Sequence, residues 1–78
     1  MALIHQQAIA FIRDDDWHNA HELIQTVKDP LACLIHGFLH RQEGDLGNAS
    51  YWYQRAGEQL AQIPIKTELE RLDALARR

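Results

Sequence analysis

The sequence predicts an all-α fold, with two stacked antiparallel helical hairpins and a C-terminal capping helix in a single domain over residues 1–78. Three observations support this prediction. Apolar residues recur at three- and four-residue steps, which is the spacing of one helix face. Acidic residues, glycines and prolines interrupt the apolar pattern at short intervals, where helices are expected to begin and end. The alternation typical of a β-strand is not present in the sequence.

The first hairpin is predicted from two apolar stripes. The first stripe lies within residues 2–13 and consists of Ile4, Ala8, Phe11 and Ile12. Asp16 follows it and is a natural N-cap for a second helix that reaches residue 27. The inward face of this second helix is predicted to contain Trp17, Ala20, Ile24 and Val27.

The third helix is predicted over residues 30–43 and is apolar on nearly every side, so it is expected to be central. Asp29 suits its N-cap position and Pro30 its first turn. Gly44 is expected to end the helix in the left-handed conformation, and Asp45 to cap the next helix.

The fourth helix is predicted over residues 46–63, ending before Pro64. Tyr53 is expected to face the core and Tyr51 the solvent, whereas Trp52 is predicted to reach the last helix or an adjoining chain. The last helix is predicted to open with a capping box at Thr67. Its apolar face consists of Leu69, Leu72, Leu75 and Ala76.

An internal repeat relates the two hairpins, because a shift of about 29 residues places Ala8 over Gly37 and Ala20 over Ala49. Small residues at these positions would let the two helices of each hairpin cross closely. The second hairpin carries the residues Gly37, Gly44, Asp45, Ala49, Tyr53 and Ala56. At these spacings it resembles a tetratricopeptide repeat.

This resemblance has several departures. The period is shorter than the usual ~34 residues, Cys33 and His40 stand where aromatic residues are usual, and His36 stands where leucine is usual. Residues 40–57 also resemble a signature of small helical proteins to which no activity is attached. Both resemblances imply a helical-repeat fold, and neither implies an activity.

The composition excludes several classes of protein. The formal net charge is −3 and the basic residues are scattered, so neither nucleic acid nor a membrane surface is an expected partner. No apolar run approaches the ~20 residues of a membrane helix.

Cys33 is the one cysteine and is expected to be a buried thiol. Since it cannot form an internal disulfide and no signal peptide is visible, a cytoplasmic location is expected.

The first functional hypothesis concerns a concave surface. In tetratricopeptide arrays the first helix of each hairpin lines this surface, and the corresponding residues here are Ile9, Ile12, Leu34, Phe38 and Arg41. The four apolar residues would form a patch that two hairpins alone leave exposed, which requires a partner or a covering helix. The hypothesis is a cofactor-free protein-interaction or self-association module, binding a protein or itself as a homodimer. The alternative is that the C-terminal helix covers the patch.

The second hypothesis concerns histidines. His36 and His40 are four residues apart and share a helix face, and His21 on the preceding helix can approach them. Glu43 follows one turn later. Three imidazoles and a carboxylate suit zinc or a similar divalent ion, which predicts a metal-binding protein or a small metal-dependent enzyme. The alternative is that these are core histidines bonded to polar neighbours, with Glu43 or Asp45 as the candidate partner of His40.

Motifs of metal-independent catalysis are not found. Ser50 is the only serine and lacks the context of a nucleophile elbow. Gly44 and Gly47 are interpreted as helix punctuation and not as a phosphate-binding loop. A binding protein is therefore expected in preference to an enzyme. His5 is isolated in the sequence and is expected at the surface.

Overall fold

The computed structural model describes residues 3–78, so the part of the first predicted helix that falls on Ala2 lies outside the described residues. The described residues form five α-helices and no β-strand, which confirms the all-α prediction for this part of the chain. The helices are α1 (Leu3–Arg13), α2 (Trp17–Ile24), α3 (Pro30–Gln42), α4 (Leu46–Arg55) and α5 (Ile65–Ala76). Over the same residues, none of the helices has the length and apolar character needed to cross a membrane.

The predicted helix starts at α2, α3 and α4 are confirmed by their caps. Each capping aspartate accepts a hydrogen bond from a backbone N–H three residues further on: Asp16 from Asn19, Asp29 from Ala32 and Asp45 from Asn48. The end of α3 also agrees with the prediction, because Gly44 adopts the left-handed conformation with a φ of 81°.

Three helix boundaries differ from the prediction. Helix α2 ends at Ile24, three residues before the predicted end at residue 27. Helix α4 ends at Arg55, eight residues before the predicted end, because Gly57 turns left-handed with a φ of 84°. The N–H of Glu58 then bonds the carbonyl of Tyr53, which satisfies the last turn of α4. Helix α5 begins at Ile65 directly after Pro64, without a side-chain cap, so the predicted capping box at Thr67 is wrong.

The helices pack in the pairs that the hairpin prediction requires. Helix α1 packs against α2 and α3 against α4, each pair joined by three residues, and α2 also packs against α3. The close crossing in the second hairpin depends on Gly37. A Cβ atom there would lie 2.6 Å from Cδ1 of Tyr53 and 3.0 Å from the carbonyl oxygen of Ala49.

The apolar patch that two hairpins alone would expose is buried within the chain. Helix α5 packs against both α1 and α3, and its Leu72 and Ala76 join the same core cluster as the patch. The exposed fractions of the patch residues are 3% for Ile9, 7% for Ile12, 4% for Leu34 and 0% for Phe38. Of the alternatives given from the sequence, a partner or a covering helix, the structure has the covering helix α5. These four side chains are therefore not an exposed surface of this chain.

A buried carboxylate fastens α5 to α4. Glu68 is fully buried, and its Oε2 accepts a hydrogen bond of 2.5 Å from the hydroxyl of Tyr53. Arg71 donates from Nε to the other oxygen of Glu68 at 2.8 Å and also bonds Glu58 at 2.9 Å. Because Glu58 lies in the connection between the two helices, the network joins α4, the connection and α5.

Candidate metal centre

Three histidines meet where α2 packs against α3. His21 comes from α2, while His36 and His40 lie one turn apart on α3. One ring nitrogen from each histidine can be chosen so that all three lie within 4.8 Å of one another. The ring centroids are 4.8 Å apart for His21 and His36, 5.3 Å for His21 and His40, and 5.0 Å for His36 and His40. We call these residues the three-histidine cluster.

The cluster is largely shielded from water, with His36 and His40 only 5% and 7% exposed and His21 half-buried. Burial, together with the neighbouring His21, His40 and Lys28, lowers the pKa of His36 to about 4. Burial, followed by His40, also lowers the pKa of His21. His36 is therefore uncharged at neutral pH, which is the form in which imidazole can bind a metal ion.

Two tryptophans form the walls of the cluster. Trp17 stacks on His21 with ring centroids 4.8 Å apart, and Trp52 stacks on His36 at 3.9 Å. The indole N–H of Trp17 donates to the carbonyl of Leu39 at 2.7 Å, which fixes its orientation. Trp52 was predicted to reach the last helix or another chain, and its stacking on His36 is instead a contact within the second hairpin.

Glu43 fixes the orientation of His40. Its Oε1 lies 2.7 Å from Nδ1 of His40, which confirms the predicted polar partner and selects Glu43 over Asp45. Since a carboxylate only accepts hydrogen bonds, Nδ1 is the donor, and in the neutral imidazole Nε2 then holds the lone pair. Glu43 was predicted as a fourth ligand, but the structure places it behind His40 and outside the three-histidine cluster.

A second group of potential ligands consists of His40, Glu43 and Asp45. Its two carboxylates are exposed and already have roles, because Glu43 bonds His40 and Asp45 caps α4. This group therefore needs no ion to explain it, and the three-histidine cluster is the candidate metal centre.

A surface cavity of about 290 Å³ lies beside the cluster and is lined by Ile12, Asp15, Trp17, Gln42 and Glu43. Two of these residues contact the cluster, since Trp17 stacks on His21 and Glu43 bonds His40. Solvent in the cavity can therefore reach the outer side of Trp17, which stacks on His21, and of Glu43, which bonds His40.

The remaining residues singled out from the sequence lie away from the cluster. Arg41 is half-buried and donates to the carbonyl of Ile63, which holds the connection before α5. Cys33 is buried, as predicted. His5 was predicted at the surface but is only 4% exposed, with Nε2 2.8 Å from Oδ1 of Asp29, the cap of α3.

The sequence hypothesis missed both tryptophan walls. A signal for Trp17 was present, because Trp17 and His21 are four residues apart on one helix and must be neighbours. No local pattern in the sequence predicts the contact of Trp52 with His36, because that contact depends on how α3 and α4 cross.

Searches of this chain against protein-family models, curated proteins and solved structures found no match. The functional argument therefore depends on the residues of the chain itself.

Proposed function

We propose that this chain binds a divalent transition-metal ion, zinc or a similar ion, through His21, His36 and His40. The observation that carries the proposal is the approach of three imidazole nitrogens to within 4.8 Å of one another at a packed helix interface. Imidazole nitrogen suits zinc, copper and nickel, whereas magnesium and calcium prefer oxygen ligands. A set of three histidines therefore favours the transition metals.

The distances agree with such a site after small adjustments. Zn–N bonds of about 2.0–2.1 Å in tetrahedral geometry place the ligand nitrogens about 3.3 Å apart. The three nitrogens lie within 4.8 Å of one another, and movement of His21, the half-buried ligand, would close the remaining gap while Glu43 holds His40 in place.

The hydrogen bond between His40 and Glu43 supports the proposal independently. Histidine ligands commonly donate their second ring N–H to a carboxylate, which fixes the tautomer and increases the basicity of the ligating nitrogen. The 2.7 Å contact at Nδ1 of His40 provides this arrangement and leaves Nε2 for the ion.

Metal analysis of the purified, untagged protein tests the proposal, followed by zinc titration of the apoprotein in a calorimeter. We expect one ion per chain, with binding lost in His36→Ala and in His40→Ala. His18→Ala is the matched control, because His18 is exposed on the same helix as His21 and lies outside the cluster. Absence of zinc binding by the wild-type apoprotein, or equal binding by His36→Ala, would refute the proposal.

Self-association as a homodimer stays a prediction. Its motivation was the exposure of four apolar side chains, and α5 removes that support by burying them. Light scattering at high protein concentration tests it, and a monomer would count against it.

A further inference from the structure

Three protein ligands leave one position of a tetrahedral ion without a protein donor. Among residues 3–78, the group around His21, His36 and His40 contains no additional histidine, cysteine or carboxylate. Glu43 could enter the coordination shell only by releasing Nδ1 of His40, which it already bonds at 2.7 Å. Closed structural zinc sites have four protein ligands, whereas three ligands are typical of sites that accept an exogenous molecule.

The charge of the ion would be poorly compensated by its ligands. Imidazole binds metal ions in its neutral form, so three histidines leave the two positive charges of the ion intact. Bound cations of this kind dominate the electrostatics of a buried site. Glu43 is bonded to one ligand and compensates part of this charge from behind the ring of His40. An anion in the fourth position would compensate the rest.

Two cationic side chains lie against Trp52, the tryptophan that stacks on His36. The Nζ atom of Lys28 lies 5.2 Å from the ring centroid of Trp52, and the guanidinium carbon of Arg55 lies 5.3 Å from it. Trp52 in turn stacks directly on His36. Both cations are exposed, and Lys28 is close enough to His36 to affect its protonation.

Negative groups lie on the other side of the cluster. Glu43 and Asp45 adjoin His40, and Glu22 is the nearest carboxylate to His21 on α2. We call the side of Lys28 and Arg55, next to Trp52, the basic edge, and the side of Glu43 and Asp45, next to His40, the acidic edge. An incoming anion would be attracted to the edge that carries Lys28 and Arg55.

From these observations we infer that the ion bound by the three-histidine cluster takes a small carboxylate as its fourth ligand, drawn in by Lys28 and Arg55. A carboxylate oxygen is a normal zinc ligand, and guanidinium groups pair well with carboxylates. The inference depends on the proposed metal binding and adds to it the chemical class of the exogenous ligand.

The experiment uses the full chain loaded with Co²⁺, whose visible absorption reports the ligands of the ion. Sodium acetate is the probe, titrated against sodium perchlorate so that the ionic strength stays constant. We expect a saturable change in the visible spectrum with acetate and no change with perchlorate alone.

Charge variants test the role of the basic edge. Lys28→Gln and Arg55→Gln should each weaken acetate binding by about 1.5- to 5-fold, as expected for exposed charge pairs, while Co²⁺ affinity is retained. The matched control is Lys66→Gln, which makes the same change in net charge at an exposed lysine on α5, a helix that contributes no residue to the cluster. It should leave acetate binding unchanged.

The outcomes separate the two proposals. A chain that binds no Co²⁺ would overturn the metal site and the inference together. A chain that binds Co²⁺ with a spectrum indifferent to acetate would overturn the inference alone. Acetate binding that Lys66→Gln weakens as much as Lys28→Gln and Arg55→Gln would overturn the assignment of the basic edge.

Discussion

At the scale of single residues, His40 combines a packing role with a chemical one. The histidine meets the packing requirement, since it is 7% exposed and lies at 6.0 Å, edge to face, from Trp17. It adds two ring nitrogens, one bonded to Glu43 and one free for a ligand. The same side chain therefore fills space within the hairpin and supplies a nitrogen to the three-histidine cluster. A substitution can separate the packing role from the binding role.

The variant His40→Phe should keep near-normal stability and lose zinc binding. Phenylalanine restores an aromatic ring, and the abandoned Glu43 carboxylate is 42% exposed, so water can solvate it. The cost of about 1–3 kcal/mol for an unsatisfied buried group therefore does not apply. Urea denaturation measures the stability, and calorimetric titration measures zinc binding.

Glu43→Gln is the companion variant, because it keeps all three imidazoles and changes only the group behind His40. Loss of such an outer partner weakens metal binding by about 10- to 100-fold, so this variant should retain measurable affinity where His40→Phe has none. A destabilisation of several kcal/mol in His40→Phe with zinc binding retained would show that the residue is structural.

Local chemistry explains why some residues were predictable from sequence and others were not. The caps Asp16, Asp29 and Asp45 act on backbone groups three residues away, so the sequence contains all that determines them. The burial of His5 and Glu68 depends on partners 24 and 15 residues away. Nothing in the neighbourhood of either residue indicates those partners.

At the scale of elements, the attachment of α5 decides which apolar surface the chain exposes. Two hairpins were predicted to leave Ile9, Ile12, Leu34 and Phe38 uncovered, and the docking of α5 against α1 and α3 covers them. Helix α5 was itself predicted from its apolar face. Its covering of the patch was one alternative given from the sequence. The path that leads to it was not predictable, because the shortened α4 and the turn at Gly57 set the course of the connection.

The attachment of α5 should weaken in acid through Glu68. Burial alone raises the pKa of this carboxyl, but hydrogen bonds from Arg71 and Tyr53 outweigh burial, and the pKa is lowered from its usual value of 4.5. A carboxyl with a lowered pKa in the folded state stabilises the protein fully above its unfolded-state pKa. This contribution is lost as the pH falls through the lowered value. The free energy of unfolding should therefore decrease below about pH 4.5.

Urea denaturation between pH 7 and pH 3, in wild type and in Glu68→Gln, measures this dependence. Glu68→Gln should lose about 1–3 kcal/mol at neutral pH, because Tyr53 and Arg71 lose a charged acceptor, and its acid dependence should be flatter. Glu70→Gln, at an exposed position on the same helix, should behave like wild type. An acid dependence in Glu68→Gln identical to that of wild type would exclude Glu68 as the cause.

At the scale of the whole molecule, the three-histidine cluster lies between the two hairpins. His21 belongs to the first hairpin, and His36 and His40 belong to the second. The sequence hypothesis placed these residues together because consecutive hairpins in a stacked array bring the second helix against the third. The contact of α2 with α3 agrees with this reasoning. The orientations of His21 and His36 depend on Trp17 and Trp52, and the periodicity of the sequence does not reveal these contacts.

A bound ion would connect the two hairpins through α2, which has only 8 residues and is the shortest helix described. Zinc that binds only the folded chain adds about 2.7 kcal/mol to its stability at a free concentration 100 times the dissociation constant. For a domain of this size, each kcal/mol raises the melting temperature by about 4–8 °C, so the expected increase is about 10–20 °C. Differential scanning calorimetry with buffered zinc measures it, and amide hydrogen exchange should show the largest gain in protection in α2. The control is His21→Ala, which removes the one ligand from the first hairpin. In this variant, zinc should raise neither the melting temperature nor the protection of α2 from exchange. Equal stabilisation of His21→Ala by zinc would mean that the ion binds elsewhere and does not join the hairpins.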